Sequence, residues 1–162
     1  MTDRPQRSGA SGVFHAIVDG ARDIARRARA LSEGDATLPP EVEALCNNLA
    51  LAFVGGRFAD AYALTATNLQ QRQSRDRFEA AWRDASRDHG PFTGFGIANL
   101  GKIDLAFIPG LEDVPQAKFM AFVELTFSTA ERTIEDDKAF TLAAVLLDQA
   151  GEPRIGDLHT RA

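Results

Sequence analysis

The stretch Leu51-Ala-Phe-Val-Gly-Gly-Arg-Phe-Ala-Asp-Ala-Tyr62, followed by Phe78-Glu-Ala-Ala-Trp82 and His89-Gly90-Pro91, decides the fold. Before Pro91 the apolar residues recur at spacings of three and four. After it they alternate. Helices first and strands afterwards is the order of an α+β domain rather than of repeated βαβ units.

Working upstream, Val42, Leu45, Leu49 and Phe53 mark one face of a helix from Pro39 to Val54, which Gly55-Gly56 breaks. Arg57 to Thr67 reads as a short second helix with Phe58 and Tyr62 at i and i+4. Ser74 is placed to cap a third helix, with Phe78, Ala81, Trp82 and Ala85 on its inner face. Arg87 and His89 suit the negative end of that helix as cations. Gly90 can take the left-handed cap, and Pro91 forbids continuation.

Downstream, Phe95 and Ile97 share one side of a glycine-rich first strand, and Asn99-Leu-Gly101 reads as a turn. Ile103, Leu105 and Phe107 alternate with Lys102, Asp104 and Ala106, which predicts a strand. Pro109-Gly110 to Pro115 is a connection. Phe119, Ala121, Val123, Leu125 and Phe127 alternate with Lys118, Met120, Phe122, Glu124 and Thr126. Residues 129–138 form an acidic loop, and Gly151 turns into a last strand, Arg154 to Thr160. Residues 139–147 are apolar on both sides, so both faces of that strand must be covered. Three helices cover one. The expectation for the other is the N-terminal helix or a second subunit, with Met120 and Phe122 sharing that outer face in a homodimer.

The ends and the composition bound the rest. Residues 1–10 read as a disordered tail, 11–34 as an amphipathic helix and 38–162 as the α+β domain. In the helix, Phe14, Ile17, Ala21, Ile24, Ala28 and Leu31 form a narrow stripe, with Arg22, Arg26 and Arg29 on the other faces. Docking onto the main domain, a dimer contact and a membrane anchor are its three readings. Asp19 and Asp23 weaken the third. A chain of 162 residues, 44% apolar and 25% charged, is ordinary for one globular domain. Cys46 is the only cysteine, which excludes an internal disulfide and a thiolate zinc cluster. No apolar run reaches the roughly 18 residues of a membrane span. The N-terminus lacks the apolar core of a signal peptide, so a cytoplasmic location is expected. Residues 1–30 carry six Arg and three Asp, whereas residues 31–162 carry twelve Lys or Arg against twenty Asp or Glu. Such an acidic body repels nucleic-acid phosphates.

The segment Pro39 to Thr160 resembles the nuclear-transport-factor-2-like superfamily, the cystatin-like cone fold. Leu51-Ala-Phe53 with Gly56-Arg-Phe58 and Tyr62, then Phe78 and Trp82, then His89-Gly90-Pro91 before the strands carry the resemblance. It is nearest to bacterial members of no assigned activity. The resemblance implies three helices in the concave face of a strongly curved antiparallel sheet, a pocket inside the cone, and dimers through the sheet. The superfamily hosts enzymes, binders and adaptors alike, so fold does not choose among them.

Candidate chemistry is sparse. An isomerase-like site of that superfamily needs a carboxylate base and an oxyanion donor in an apolar pocket. Tyr62 is the candidate donor, and Asp104 and Glu124 are the candidate bases. Both carboxylates alternate onto the side opposite Ile103, Leu105, Val123 and Leu125, which points them away from the cone. Asp157 and His159 share a strand face as a solvated pair or an acid/base pair. His89 reads as a helix-end cap and Cys46 as a buried inert thiol. Thr93-Gly-Phe-Gly-Ile-Ala-Asn99 lacks the third glycine and the following helix of a dinucleotide fingerprint. The scattered histidines and the acidic loop lack metal-ligand spacing, so no metal and no cofactor are expected.

The leading expectation is a non-enzymatic module that binds a protein partner or a small apolar ligand, with Phe58, Tyr62, Phe78 and Trp82 as pocket candidates. The alternative is a small enzyme (isomerase, dehydratase or hydrolase-like) acting on an apolar substrate in the cone.

Overall fold

The computed structural model describes residues 37–161. The expected tail (1–10) and N-terminal helix (11–34) lie outside the described residues. Helix α1 (Pro40–Val54) starts with proline at its first position, where the missing N–H costs nothing. It buries Val42, Leu45, Leu49 and Phe53, the predicted stripe. Gly56 takes φ +68°, and the Arg57 N–H donates to the Ala52 carbonyl at 2.8 Å, folding the chain back. The expected second helix divides into α2 (Phe58–Tyr62) and α3 (Thr67–Arg72). The interruption is an edge contact. Ala66 N–H donates to the Ile155 carbonyl and Ile155 N–H to the Leu64 carbonyl, a pairing local periodicity cannot show.

Helix α4 (Arg75–Arg87) follows the reading closely. The Ser74 hydroxyl accepts from Arg77 N–H at 3.3 Å. Phe78 and Trp82 are buried and Ala85 partly so, but Ala81, expected on the inner face, is exposed; Gly90 turns at φ +79° before Pro91.

Four strands then form an open antiparallel meander in sequence order: β1 (Phe92–Gly101), β2 (Phe119–Thr129), β3 (Phe140–Gln149) and β4 (Glu152–Thr160). Ala150 and Gly151 both have positive φ, the geometry of a tight hairpin whose twist matches its strands. All helices that touch the sheet lie on the face of Ile97, Val123, Leu125, Phe127, Leu142, Ala144 and Leu146, and one apolar cluster joins the two layers.

Two expectations change in the connection between β1 and β2. The turn expected at Asn99–Gly101 is the end of β1, marked by a register shift and by Asn99 Oδ1 accepting from Gly101 N–H at 2.9 Å. The strand expected over 103–107 is a 3₁₀ turn, Leu105–Phe107, with Asp104 Oδ1 accepting from Ala106 N–H at 3.0 Å. The turn does not keep the expected shared face: Leu105 is buried, whereas Phe107 is 83% exposed. Leu105, Ile108 and Leu111 pack on Val145 and Leu147, so the chain's own segment 102–118 covers one end of the outer sheet face. Phe122 is partly buried against the same cluster. Met120 does not join it there. A register shift between Phe119 and Ala121 lets Met120 pack against the helix-side cluster instead.

Candidate functional site

The four pocket candidates of the sequence come together. Phe53 stands edge-on to Phe58 (5.1 Å between ring centroids) and to Trp82 (5.5 Å), while Tyr62 and Trp82 each meet Phe78 edge-on. The Tyr62 hydroxyl donates to the Gln73 carbonyl at 2.7 Å. Its proton is thereby engaged at the start of the link between α3 and α4. Among the described residues the one buried carboxylate is Glu124, and no histidine is buried. Cys46 sits in the same core cluster as these rings, as a buried thiol pushed up to about 12, first by desolvation and then by Glu43, which makes it a poor nucleophile.

The candidate bases are elsewhere. Glu124 is fully buried on the sheet face opposite the helices, with Arg161 Nε at 3.8 Å from its carboxylate. Asp104 caps its own turn. Asp157 and His159 do share a face, with Nδ1 to Oδ2 at 2.9 Å, and an Arg72 nitrogen lies 3.9 Å from the other Asp157 oxygen. Among the described residues no group of three His, Cys, Asp or Glu side chains is arranged for a metal. None of their helices is long and apolar enough to cross a membrane.

One concave feature opens beside the aromatic cluster. A groove of about 460 Å³ lies where the C-terminal end of α4 meets the start of β3 and the end of β4. Ala85 and His89 line it from the helix side, and Phe140, Thr160 and Arg161 from the sheet. Its volume falls within the roughly 300–1,000 Å³ of ordinary ligand sites. Phe140 links it to the core, since its ring lies 5.3 Å from Phe92 and 5.9 Å from Phe127.

His89 is more than a helix cap. Its ring lies 4.9 Å from Phe140, and burial pushes the imidazole below its ordinary value. Arg132 adds to that shift and Asp88 opposes it. The helix-end reading expected a charged imidazole, whereas the environment favours the neutral ring. Arg132 itself donates to the Lys138 carbonyl at 2.9 Å, and Lys138 lines the same groove.

No protein family, no curated protein and no solved structure matches the chain. The site must therefore be argued from its own geometry. The aromatic residues expected to line a pocket pack together, and the groove lies beside them. Trp82, Ala85 and His89 continue one helical stripe at spacings of three and four, so the stripe pointed to the groove one turn beyond Trp82. Phe140 and Arg161 left no such signal, because only the tertiary fold brings them there.

Proposed function

We propose that this chain is a binding module of the NTF2-like cone type, and that its groove takes a small ligand with an apolar body and an anionic end. The observation that carries this reading is the groove at the mouth of the helix–sheet layer. Its floor is apolar, and Lys138 and Arg161 line it. Arg132 stands close enough to act on His89. The nearby carboxylates are Asp88, Asp137 and the buried Glu124, whose oxygen lies 3.8 Å from Arg161 Nε. Around the groove the named charges balance, three against three, a more favourable setting for an anion than residues 37–161 as a whole, in which twelve Lys or Arg face eighteen Asp or Glu. The neutral His89 ring supplies a hydrogen-bonding group at the apolar wall.

The enzyme alternative has less support. Its proposed oxyanion donor, Tyr62, is hydrogen-bonded to a carbonyl. Its proposed base, Glu124, stands on the opposite sheet face.

The test is titration of the full chain with benzoate, hexanoate and their neutral amides, followed by the amide and imidazole NMR signals. Saturable shifts at His89, Phe140 and Arg161 are expected for the acids and not for the amides. Bound anion should raise the His89 pKa, so affinity should strengthen as pH falls towards it. Ala85→Phe, which fills the groove, should abolish the shifts. Binding weaker than about 1 mM for every probe, or binding unaffected by Ala85→Phe, would remove the reading.

A further inference from the structure

The half of the outer sheet face that segment 102–118 leaves alone is nevertheless buried, and we propose that the chain's own N-terminal segment, residues 11–34, docks there over Glu124. Strand pairing sets Ala98, Glu124, Ala143 and His159 in one row across the sheet, and Gly96, Thr126 and Thr141 in the next. Both rows alternate with Ile97, Leu125 and Leu142, which face the helices, so they lie on the outer face. Glu124, Thr126 and Ala143 are fully buried, and Gly96, Ala98 and Thr141 are buried as well. The outer face of a sheet that carries helices on one side only would stand in water. Segment 102–118 packs at the other end, on Val145, Leu147 and Phe122. Ala143 joins none of the apolar clusters formed by the described residues. A further layer therefore covers this half.

The face specifies its occupant by shape and by charge. Gly96, Ala98 and Ala143 make a floor with no side chain beyond Cβ, which admits a close-packed neighbour. The stripe of residues 11–34 is itself small in its middle, at Ala21 and Ala28. Glu124 stands between Ala98 and Ala143, with Arg161 Nε 3.8 Å from its carboxylate. The loop joining β2 to β3 lies at the Thr126–Thr141 end and carries Glu131, Glu135, Asp136 and Asp137 against Arg132 and Lys138. A covering segment must bring positive charge, and residues 1–30 carry six Arg against three Asp. Arg27, three residues after Ile24 and four before Leu31, borders the stripe at helical spacing. A second copy suits the face poorly. A two-fold contact centred on this patch would desolvate one Glu124 against the other. Residues 33–39 link the segment to α1 and span up to about 25 Å when extended, enough to carry the chain around a sheet edge. Such a tether makes docking intramolecular and independent of protein concentration.

A nitroxide on Ala30→Cys of the full chain tests this. Position 30 falls on the polar side of the stripe, and Cys46 is buried away from the label. Each sample is read against itself after reduction of the nitroxide. The methyl signals of Ala98, Thr126, Thr141 and Ala143 should be broadened more than those of Val123, Leu125 and Ala144, and the amides of α4 least. In a mixture, isotope-labelled chains without the nitroxide should stay sharp beside nitroxide-bearing chains without isotope. Ala28→Glu in the nitroxide-bearing chain sets a carboxylate in the stripe and should abolish the broadening. Absent or uniform broadening overturns the proposal, as does broadening that Ala28→Glu leaves unchanged. Broadening of the outer methyls in the mixture also overturns it, because the cover would then be a second copy.

Discussion

At the residue scale, Trp82 and His89 show how one helical stripe passes from core to site. Trp82 is 8% exposed and packs edge-on against Phe53 and Phe78. Trp82→Ala should cost about 3–5 kcal/mol, the usual consequence of deleting a large buried ring. A loss below about 1 kcal/mol in chemical denaturation would contradict its place in the core. Seven residues on, His89 is governed by hydration instead. Burial and Arg132 hold its folded-state pKa below the ordinary 6.5. Between those two values the unfolded chain binds the proton that the folded chain rejects, so stability rises with pH there. The contribution is fully present above 6.5 and is lost as pH falls through the folded-state value. His89→Gln should remove it. The stability of the wild type relative to that variant should shrink as pH is lowered from about 7.5 to about 5. A constant difference across that range would show that the imidazole does not sense its burial.

At the scale of elements, the helices were legible and the connections were not. Every signal that ends or starts α4 is local: the Ser74 hydroxyl, the left-handed Gly90 and the ring of Pro91. The split between α2 and α3 was not legible, because Ile155 on β4 imposes it from the far end of the sequence. Nor was the 3₁₀ turn at Leu105. Three apolar residues at alternate positions read as one strand face, yet a tight turn here buries Leu105 and exposes Phe107, so the short pattern did not report a strand. Bulges are equally hidden, and the one in β4 has a measurable consequence. The register between β3 and β4 shifts between Val145 and Leu146, and Gly156 lies at that shift. A Cβ on Gly156 would collide with the Leu147 side chain, which is itself buried against Val145 and Leu105. Gly156→Ala should therefore destabilise by about 1–3 kcal/mol through overpacking. It should also release the hydrogen bonds that Asn68 and Arg72 donate to the Gly156 carbonyl, both 3.2 Å. Unchanged stability would mean that β4 can shift its register freely.

At the scale of the whole molecule, the resemblance and the periodicity led to the α+β class and to the aromatic cluster, but not to its opening. An aromatic stripe reads the same way whether it lines a cavity or fills a core. The difference depends on which residues arrive from β3 and β4, and in this chain Phe140 and Arg161 arrive one helical turn beyond Trp82. The same cluster draws on α1, α2, α3, α4 and all four strands. Neither α1 nor α4 can leave it without exposing Phe53, Phe78 or Phe127, so the helix layer and the sheet should unfold together. Trp82 is the only tryptophan and reports the helix layer, while far-UV circular dichroism reports helices and strands jointly. Melting curves from the two probes should coincide, and the calorimetric enthalpy should equal the van't Hoff value. A fluorescence transition that precedes the loss of dichroism would show that the helices detach from the sheet first. In that case the groove between them, which needs Ala85 and His89 on one side and Phe140 on the other, would open and disappear before the molecule unfolds.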